Sequence, residues 1–312
     1  MTTLPTQPFK KVLVTGGCGF IGSHIAEALV NSGRQVRIVD DLSTGYLRNI
    51  EGLDVELLEG DVSDPQIAQA AVDGVSNVYH LAARPSVPFS IAHPKQAHQA
   101  NLQSTLSLIA AAEASEVKSI VFSSSSAVYG DEPTLPKREN CTLAPMSPYA
   151  EHKLASEHAF AASSVSAVAL RYFNVFGPKQ DPSSPYSGVI SLFSKWAAEG
   201  TPASVFGDGL QTRDFVYVDD VVSANLHATQ FALDDNDFDV FNVASGTAIT
   251  VLELWQQICE ICKLDESPVT HQPSREGDIR DSVADISRAQ EMLGYRVSTD
   301  LEHGLRECLQ SI

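Results

Sequence analysis

The chain has 312 residues, of which 43% are hydrophobic and 19% are charged, a composition typical of a globular protein with ample apolar material for a core. Its 39 acidic residues outnumber its 21 basic ones and give a formal net charge of −18, and a surface that acidic repels nucleic-acid backbones and anionic lipids. No apolar run approaches the roughly 20 residues that span a bilayer, so we expect neither nucleic acid nor a membrane as a partner.

Two features of the chain bear on its cellular compartment. Residues 1–9 contain two prolines and no apolar stretch, which predicts a flexible tail and not a signal peptide. The cysteines are odd in number and scattered, which predicts no disulfide framework. A reducing cytoplasm is therefore the expected location. The cysteines are Cys18, Cys141, Cys259, Cys262 and Cys308.

Short β-branched runs alternate with helical stretches along the first half of the chain. The helical stretches include Ile21–Ser32 and His98–Glu113. Strands separated by helices predict an α/β fold with a doubly wound parallel sheet and right-handed crossovers. The expected strands are Lys11–Thr15, Gln35–Val39, Val78–Ala82, Ser119–Ser123 and Ala167–Tyr172.

The composition changes after Gly177. Residues 178–185 have the proline and serine content of a loop. A strand and a helix follow over Phe215–Gln230, with Asp219 as the expected N-cap. The rest of the chain is mostly helical, with a loop expected at Ser267–Asp281.

These patterns predict two lobes. Ligands of open α/β sheets bind at the carboxyl ends of the strands, so a second lobe would close over that edge. We expect residues 10–177 and about 216–245 to form the first domain, and about 178–215 and 246–312 to form the smaller, discontinuous lobe.

A glycine-rich loop, Thr15–Gly22, follows the first strand directly and opens the first helix. Its glycines permit a tight turn and a close approach to a pyrophosphate, to which the helix N-terminus presents amide donors. The second strand leads into Asp40, whose carboxylate can accept hydrogen bonds from adenosine ribose hydroxyls. A 2′-phosphate would meet both Asp40 and Asp41, so we expect a Rossmann domain that binds NAD and not NADP.

A second motif carries acid–base chemistry. Ser147 and Pro148 are suited to begin a helix, on which Tyr149 and Lys153 share a face because they are four residues apart. Tyrosine is a poor base at its usual pKa of about 10, but a nearby ammonium and a positive nicotinamide ring favour the phenolate. That spacing alone is common in helices. The serine run Ser123–Ser126, just beyond a buried strand, adds a donor for a substrate hydroxyl beside Tyr149.

Taken together, these motifs resemble the extended short-chain dehydrogenase/reductases, and among them the UDP-sugar 4-epimerases. The resemblance covers residues 10–295 and is specific because the motifs occur in combination. Besides those above, they are Gly60-Asp61-Val62, His80–Ala83, Asn101, Arg171–Pro178, Gly207-Asp208-Gly209, Arg213–Phe215, Arg275–Asp278 and Ala284-Asp285.

The resemblance implies a mechanism. Tyr149 would take the proton of the sugar 4′-hydroxyl while C4′ passes a hydride to NAD⁺. Ser125 would bond the same oxygen and relay the proton, and Lys153 would hold the nicotinamide ribose and tune Tyr149. The 4-keto sugar would then turn over and receive the hydride on its other face. Because there is no net redox change, the cofactor is expected to stay tightly bound.

The resemblance also implies binding residues and a homodimer, in which the helices at His98–Glu113 and Tyr149–Ala162 would pair. The implied NAD-binding residues are Gly16, Gly19, Phe20, Ile21, Gly22, Asp40, Ser43, Gly45, Asp61, Val62, Leu81, Ala82, Ala83, Asn101, Ser123, Tyr149, Lys153 and Tyr172. The implied UDP-sugar-binding residues are Ser86, Ser125, Ser126, Tyr149, Asn174, Val189, Phe193, Val205, Phe206, Arg213, Arg275, Asp278 and Ser282.

Ser282 bears on the choice of sugar. In this family its position lines the pocket beside the 2′ substituent, and a small residue there leaves room for an N-acetyl group. We therefore expect UDP-GlcNAc/UDP-GalNAc to be accepted along with UDP-Glc/UDP-Gal, with the preference between them left open. The alternative is that a side chain near Ser86 or Val189 fills the space. Ser126 and Ser191 stand where relatives often carry alanine and proline.

Other activities stay open. A UDP-sugar decarboxylase or 4,6-dehydratase needs a further acid or base, and Ser125, Ser126 and Ala127 supply none. A UDP-uronate 4-epimerase would need a donor for the uronate carboxylate. A non-catalytic NAD-sensing regulator would be indicated by loss of Tyr149 or Lys153, and both are present. Cys259 and Cys262 have C-x-x-C spacing without a second pair, so we expect no metal.

Overall fold

A computed structural model of the chain describes residues 11–181, 188–234, 237–264, 268–273 and 279–310. The strands are β1 Lys11–Thr15, β2 Val36–Asp40, β3 Val55–Glu59, β4 Val75–His80, β5 Ser119–Ser125, β6 Ser166–Tyr172, β7 Asn174–Phe176, β8 Ala203–Phe206, β9 Thr212–Tyr217, β10 Phe238–Val243, β11 Ala248–Thr250 and β12 Val269–Gln272. The α-helices are α1 Phe20–Asn31, α2 Pro65–Val72, α3 Val87–Ala92, α4 Pro94–His98, α5 Ser104–Glu113, α6 Pro148–Ala161, α7 Val189–Glu199, α8 Val218–Leu233, α9 Val251–Ile261, α10 Ser287–Met292 and α11 Leu301–Gln310.

Seven strands form one sheet in the order β10-β6-β5-β4-β1-β2-β3, and every neighbouring pair is parallel. This confirms the predicted doubly wound sheet, and each of the five predicted strands is present with small shifts at its ends. The strand order reverses between β1 and β4. A crevice for a ligand therefore opens at the carboxyl ends of these two strands.

Both faces of this sheet are covered, as its nearly continuous apolar strands require. Successive residues of a strand point to opposite faces, so Val12 and Val14 pack with Ile25 of α1 in one core, whereas Leu13 packs with Leu108 of α5 in the other. All five side chains are buried. The sheet is thus a rigid platform that fixes the ends of its strands.

Two smaller sheets accompany the main one. The order of the first is β11-β9-β7, and the second pairs β12 with β8. A third hydrophobic core contains Phe193 of α7, Val205 of β8 and Trp255 of α9. The described residues are consistent with the predicted second lobe, and the exact division of the chain into two domains stays a prediction.

Some local predictions were wrong. Asp219 is not the N-cap: the N-cap is Tyr217, so α8 begins two residues earlier than predicted, and Asp219 lies in its first turn. The loop expected at Ser267–Asp281 contains β12, which exists because it pairs with the distant β8. Residues 265–267 and 274–278 lie outside the described residues. No helix of the described ranges is long and apolar enough to cross a membrane.

Candidate active site

A cavity of about 640 Å³ opens at the predicted point, beside the ends of β1, β2 and β4. Most of the residues expected to bind a dinucleotide line it. These are Gly16, Gly19, Phe20, Ile21, Gly22, Asp40, Ser43, Gly45, Asp61, Val62, Leu81, Ala82, Ala83, Ser123, Tyr149 and Lys153, together with Ser86 from the substrate set.

The glycine-rich loop forms the floor of the cavity. Gly16 has a φ of +68°, and a Cβ there would lie 2.8 Å from the backbone nitrogen of Ala82. A Cβ on Gly22 would lie 2.2 Å from the carbonyl oxygen of Gly16. Only glycine fits either place. Helix α1 then starts at Gly19 with no acidic residue in its first turn, so its positive end is open to a phosphate.

Asp40 lies at the end of β2 and is buried. Its Oδ2 accepts from the amide of Cys18 and its Oδ1 from the amide of Leu42, both at 2.9 Å. Burial raises the pKa of this carboxyl, and these two amides oppose the rise. Each oxygen keeps a second acceptor position, so the carboxylate can take a pair of ligand hydroxyls.

The wall that follows β4 contains a residue that the sequence analysis missed. Arg84 lines the cavity directly after Ala83. Its amide donates to Oδ1 of Asn101 at 2.7 Å, so Asn101, which is buried and does not line the cavity, supports the wall from behind. Arg84 and Lys153 are the two cations among the lining residues. A cation immediately after Leu81-Ala82-Ala83 was the signal available in the sequence.

Helix α6 begins as predicted and presents Tyr149 to the cavity. The Ser147 hydroxyl accepts from the amide of Ala150 at 3.2 Å, and Pro148 occupies the first turn. Ser125 hydrogen-bonds the Tyr149 side chain and lowers its pKa, but burial is the larger effect and the pKa is raised overall. The Ser125 hydroxyl also accepts from the amide of Ala127 at 3.2 Å, which leaves its proton available to Tyr149.

Lys153 is buried one turn further along the helix. Its Nζ donates to the Ser123 carbonyl at 2.6 Å and lies 5.9 Å from the centroid of the Tyr149 ring. Burial lowers the pKa of Lys153 to about 7, and the charge of Glu157 opposes that shift. The expected lysine thus lies beside Tyr149, and the fraction of it that is protonated near neutral pH depends on burial and on the charge of Glu157.

Several predicted residues lie away from the cavity. Tyr172 is buried below it and hydrogen-bonds Ser123 and Asn225. Phe193 and Val205 are buried in the third core, so they pack the lobe and do not line the cavity. The predicted residues outside the lining are Asn101, Ser125, Ser126, Tyr172, Asn174, Val189, Phe193, Val205, Phe206, Arg213 and Ser282. Arg275 and Asp278 lie outside the described residues.

Three of the predicted substrate residues come together on the β11-β9-β7 sheet and its neighbour. Asn174 pairs with Phe215, two residues from Arg213, so Asn174 and Arg213 share one face. Thr212 forms an isolated parallel bridge with Asp281, so Arg213 and Ser282 each directly follow a bridged residue. Arg213 Nη1 donates to the Thr212 carbonyl at 2.7 Å.

The segment that contains Gln180 and Asp181 also lines the cavity, and the sequence analysis did not predict this. The Tyr46 hydroxyl donates to Asp181 at 2.7 Å. Ser191, noted above for replacing a proline, donates to Oε1 of Gln180 at 2.7 Å, a bond that proline could not make. These contacts join segments far apart in the chain, which local sequence patterns do not reveal.

Comparisons with known proteins agree with this geometry. A family model described as the NAD dependent epimerase/dehydratase family matches residues 12–244. The UDP-glucose 4-epimerase of Lactobacillus helveticus is 34% identical over 304 residues, 92% of each chain.

Two solved structures are also similar over nearly the whole chain. The UDP-N-acetylglucosamine 4-epimerase of Methanobrevibacter ruminantium, in complex with UDP-N-acetylmuramic acid, has a TM-score of 0.91 and 38% identity over 98% of both chains. The UDP-glucose 4-epimerase of Thermus thermophilus, in complex with NAD, has a TM-score of 0.87 and 32% identity over 96% of this chain and 98% of that one.

Proposed function

This chain belongs to the NAD dependent epimerase/dehydratase family, and we propose that it inverts C4′ of a UDP-sugar through a 4-keto intermediate with bound NAD. The observation that carries the proposal is that Tyr149 and Lys153 line the dinucleotide cavity together, with Ser125 behind the lining and hydrogen-bonded to Tyr149. Family members that act on UDP-glucose and on UDP-N-acetylglucosamine support it.

The residues of the cavity fit NAD. Gly16 and Gly22 allow a tight turn that a Cβ at either position would force open, and this turn lets the backbone approach a pyrophosphate closely. Asp40 offers two free acceptor positions for ribose hydroxyls. Asp41 also lines the cavity, so a 2′-phosphate in place of a hydroxyl would face two carboxylates.

We assign the proton chemistry to three side chains. The glycine loop and Asp40 would hold NAD, which would supply a reversible hydride acceptor for C4′. Tyr149 holds the proton taken from the 4′-hydroxyl, and Ser125 donates a hydrogen bond that favours the phenolate. The Lys153 ammonium stabilises that phenolate electrostatically and can donate to the nicotinamide ribose. Lys153 is buried and Tyr149 and Ser125 are partly buried, which limits the access of water to the proton transfer.

We assign the UDP group to the second lobe. Asn174 and Arg213, on one face of the β11-β9-β7 sheet, would bind the diphosphate. A forked guanidinium suits that anion on a chain with net charge −18. The assignments of Arg275 to the diphosphate and Asp278 to the uridine ribose rest on the resemblance alone.

We also propose a homodimer in the cytoplasm. Leu106 of α5 is 41% exposed, which suits a helix that pairs with a second copy across α5 and α6. All five cysteines are free thiols, as a reducing compartment favours.

Incubation of the pure protein with UDP-Glc, UDP-GlcNAc and UDP-glucuronate, followed by separation of the products, tests the function. We expect the 4-epimers of UDP-Glc and UDP-GlcNAc to accumulate to equilibrium without added NAD. Conversion of UDP-glucuronate alone would favour the uronate epimerase. Release of CO₂ or water would indicate a decarboxylase or dehydratase. If no sugar is converted, the result would favour the non-catalytic NAD-sensing regulator.

Ser282→Tyr tests the pocket volume. An N-acetyl group is several heavy atoms larger than a hydroxyl, and a close-packed pocket that holds a tyrosine leaves no room for it. We expect this variant to lose UDP-GlcNAc turnover by about 100-fold or more, the scale of steric exclusion, and to keep most of its UDP-Glc turnover. Parallel kcat/KM measurements on both sugars provide the check. Equal losses on both would show that another side chain sets the volume.

A further inference from the structure

A buried ion pair that the mechanism above does not use lies beneath the reacting groups. Glu157 is on α6, one turn beyond Lys153, and Arg171 is on β6, with each side chain 3% exposed. Arg171 donates from Nε to Oε1 at 3.0 Å and from Nη2 to Oε2 at 2.7 Å. Both carboxylate oxygens are therefore held in a forked, charge-assisted arrangement.

The same carboxylate reaches the serine strand. Ser124 Oγ donates to Oε1 of Glu157 at 2.5 Å. Lys153 binds the carbonyl of Ser123, and Tyr149 binds the hydroxyl of Ser125. Ser124 lies between these two residues in the strand. The Ser124–Glu157 hydrogen bond thus joins the end of β5 to α6, next to the Lys153–Ser123 and Tyr149–Ser125 contacts.

The charges around Lys153 can be named. On its own helix, Glu157 favours the ammonium and Tyr149 holds the reacting proton. From β4, His80 faces Lys153, and burial lowers the pKa of its imidazole to about 3, so it adds no charge at neutral pH. From β6, Arg171 faces Lys153 only through Glu157.

Arg171 has further partners of its own. Its Nη1 donates to the Tyr129 hydroxyl and to the Glu139 carbonyl, both at 3.1 Å. These contacts hold the guanidinium beside β6, so we expect it to stay there if Glu157 is replaced. The charge of Glu157 opposes the lowering of the Lys153 pKa by burial.

We propose that Glu157 is a positioning residue for the reaction: it ties Ser124 to α6, and it supplies the negative charge that the Lys153 ammonium needs in a buried site. Arg171 binds both oxygens of the carboxylate and holds it in place against Ser124. This inference rests on the proposed function, because it takes the Lys153 ammonium as the group that supports the Tyr149 phenolate.

Glu157→Gln tests the charge while it keeps the volume and an acceptor oxygen for Ser124. Without the carboxylate, Lys153 loses its proton at lower pH, so activity should fall earlier as pH rises. We expect the alkaline limb of kcat to move down by on the order of one pH unit, the effect of one close charge. Activity should recover at lower pH, which damage to the fold alone would not produce.

Ser124→Ala tests the tie while it keeps the charge. We expect kcat to fall at every pH and the alkaline limb to stay in place. Asp220→Asn is the matched control: Asp220 is a fully buried carboxylate on α8 that accepts from the amide and hydroxyl of Ser298. It should lower the unfolding temperature without moving the limb. An equal shift in this control would overturn the proposal.

A titration without sugar separates this inference from the proposed function. The tyrosinate absorbance of the NAD-loaded protein, minus that of Tyr149→Phe, reports the ionisation of Tyr149. Glu157→Gln should raise its midpoint, even if no UDP-sugar is converted; an unchanged midpoint would overturn the proposal. If Glu157→Gln does not fold, Arg171→Met is measured instead. It frees the carboxylate for Lys153, so the limb should move to higher pH, and no movement or the opposite one would refute the idea.

Discussion

Tyr149→Phe is expected to lower kcat by about 10²- to 10⁴-fold, the contribution of a general base. The phenyl ring keeps the packing of the partly buried tyrosine at the start of α6, and only the hydroxyl that Ser125 hydrogen-bonds is lost. The variant should therefore keep its fold and its NAD content. Rates of UDP-Glc conversion at saturating substrate, with NAD released by denaturation as the second readout, provide the measurement.

Tyr295→Phe is the matched control for that change. Tyr295 is a fully buried tyrosine, and its hydroxyl donates to the Ala244 carbonyl at 2.8 Å, away from the residues that line the cavity. Loss of that bond should cost about 1 kcal/mol of stability and leave kcat unchanged. If Tyr149→Phe kept most of its activity, another group would be the base and the assigned mechanism would be wrong.

Gly22→Ala is expected to abolish NAD retention. Its Cβ would lie 2.2 Å from the Gly16 carbonyl oxygen and 3.0 Å from Cα of Gly17, both of them backbone atoms that have no rotamer to change. The loop must open, which moves the turn away from a bound pyrophosphate and costs about 1–3 kcal/mol in strain. The parent protein should release NAD in near-stoichiometric amount on denaturation, and the variant at least about tenfold less, the factor for 1.4 kcal/mol.

Gly33→Ala is the control that distinguishes general backbone strain from a specific loss of NAD binding. Gly33 follows α1, has a φ of +80°, and has open space around it. An alanine there should cost about 1–2 kcal/mol for its left-handed backbone and retain NAD. If Gly33→Ala released NAD as fully as Gly22→Ala, the loss would reflect general destabilisation. Recovery of NADP⁺ from the parent would contradict the role assigned to Asp40.

The sequence predicted those parts of the molecule that are coded locally. The alternation of buried strands and helices, the glycine loop and the Ser147 cap each depend on residues within a few positions of one another. The burial of a side chain, by contrast, depends on residues that are distant in the sequence. The sequence placed a lysine beside Tyr149, but the lowered pKa of Lys153 follows from its burial, with Phe122 of β5 and His80 of β4 nearby.

What the sequence did not predict depends on distant pairing. β3 has an exposed pattern with little apolar alternation and forms because it pairs with β2. The Tyr46–Asp181 bond joins residues 135 positions apart, and Arg171–Glu157 joins two motifs that were considered separately. Arg84 was adjacent to a predicted motif and could have been found by its charge.

The position of β10 has a consequence for the order in which the protein assembles on the ribosome. The chain leaves the large sheet after β6, builds β7, β8, β9 and α8, and only then returns with β10 to pair with β6. Until Val243 has emerged, the nascent chain presents β6 as an open, apolar edge that can pair with another chain. This edge strand is thus the last strand of the seven-stranded sheet to be synthesised, and a chain interrupted before Val243 cannot complete the sheet.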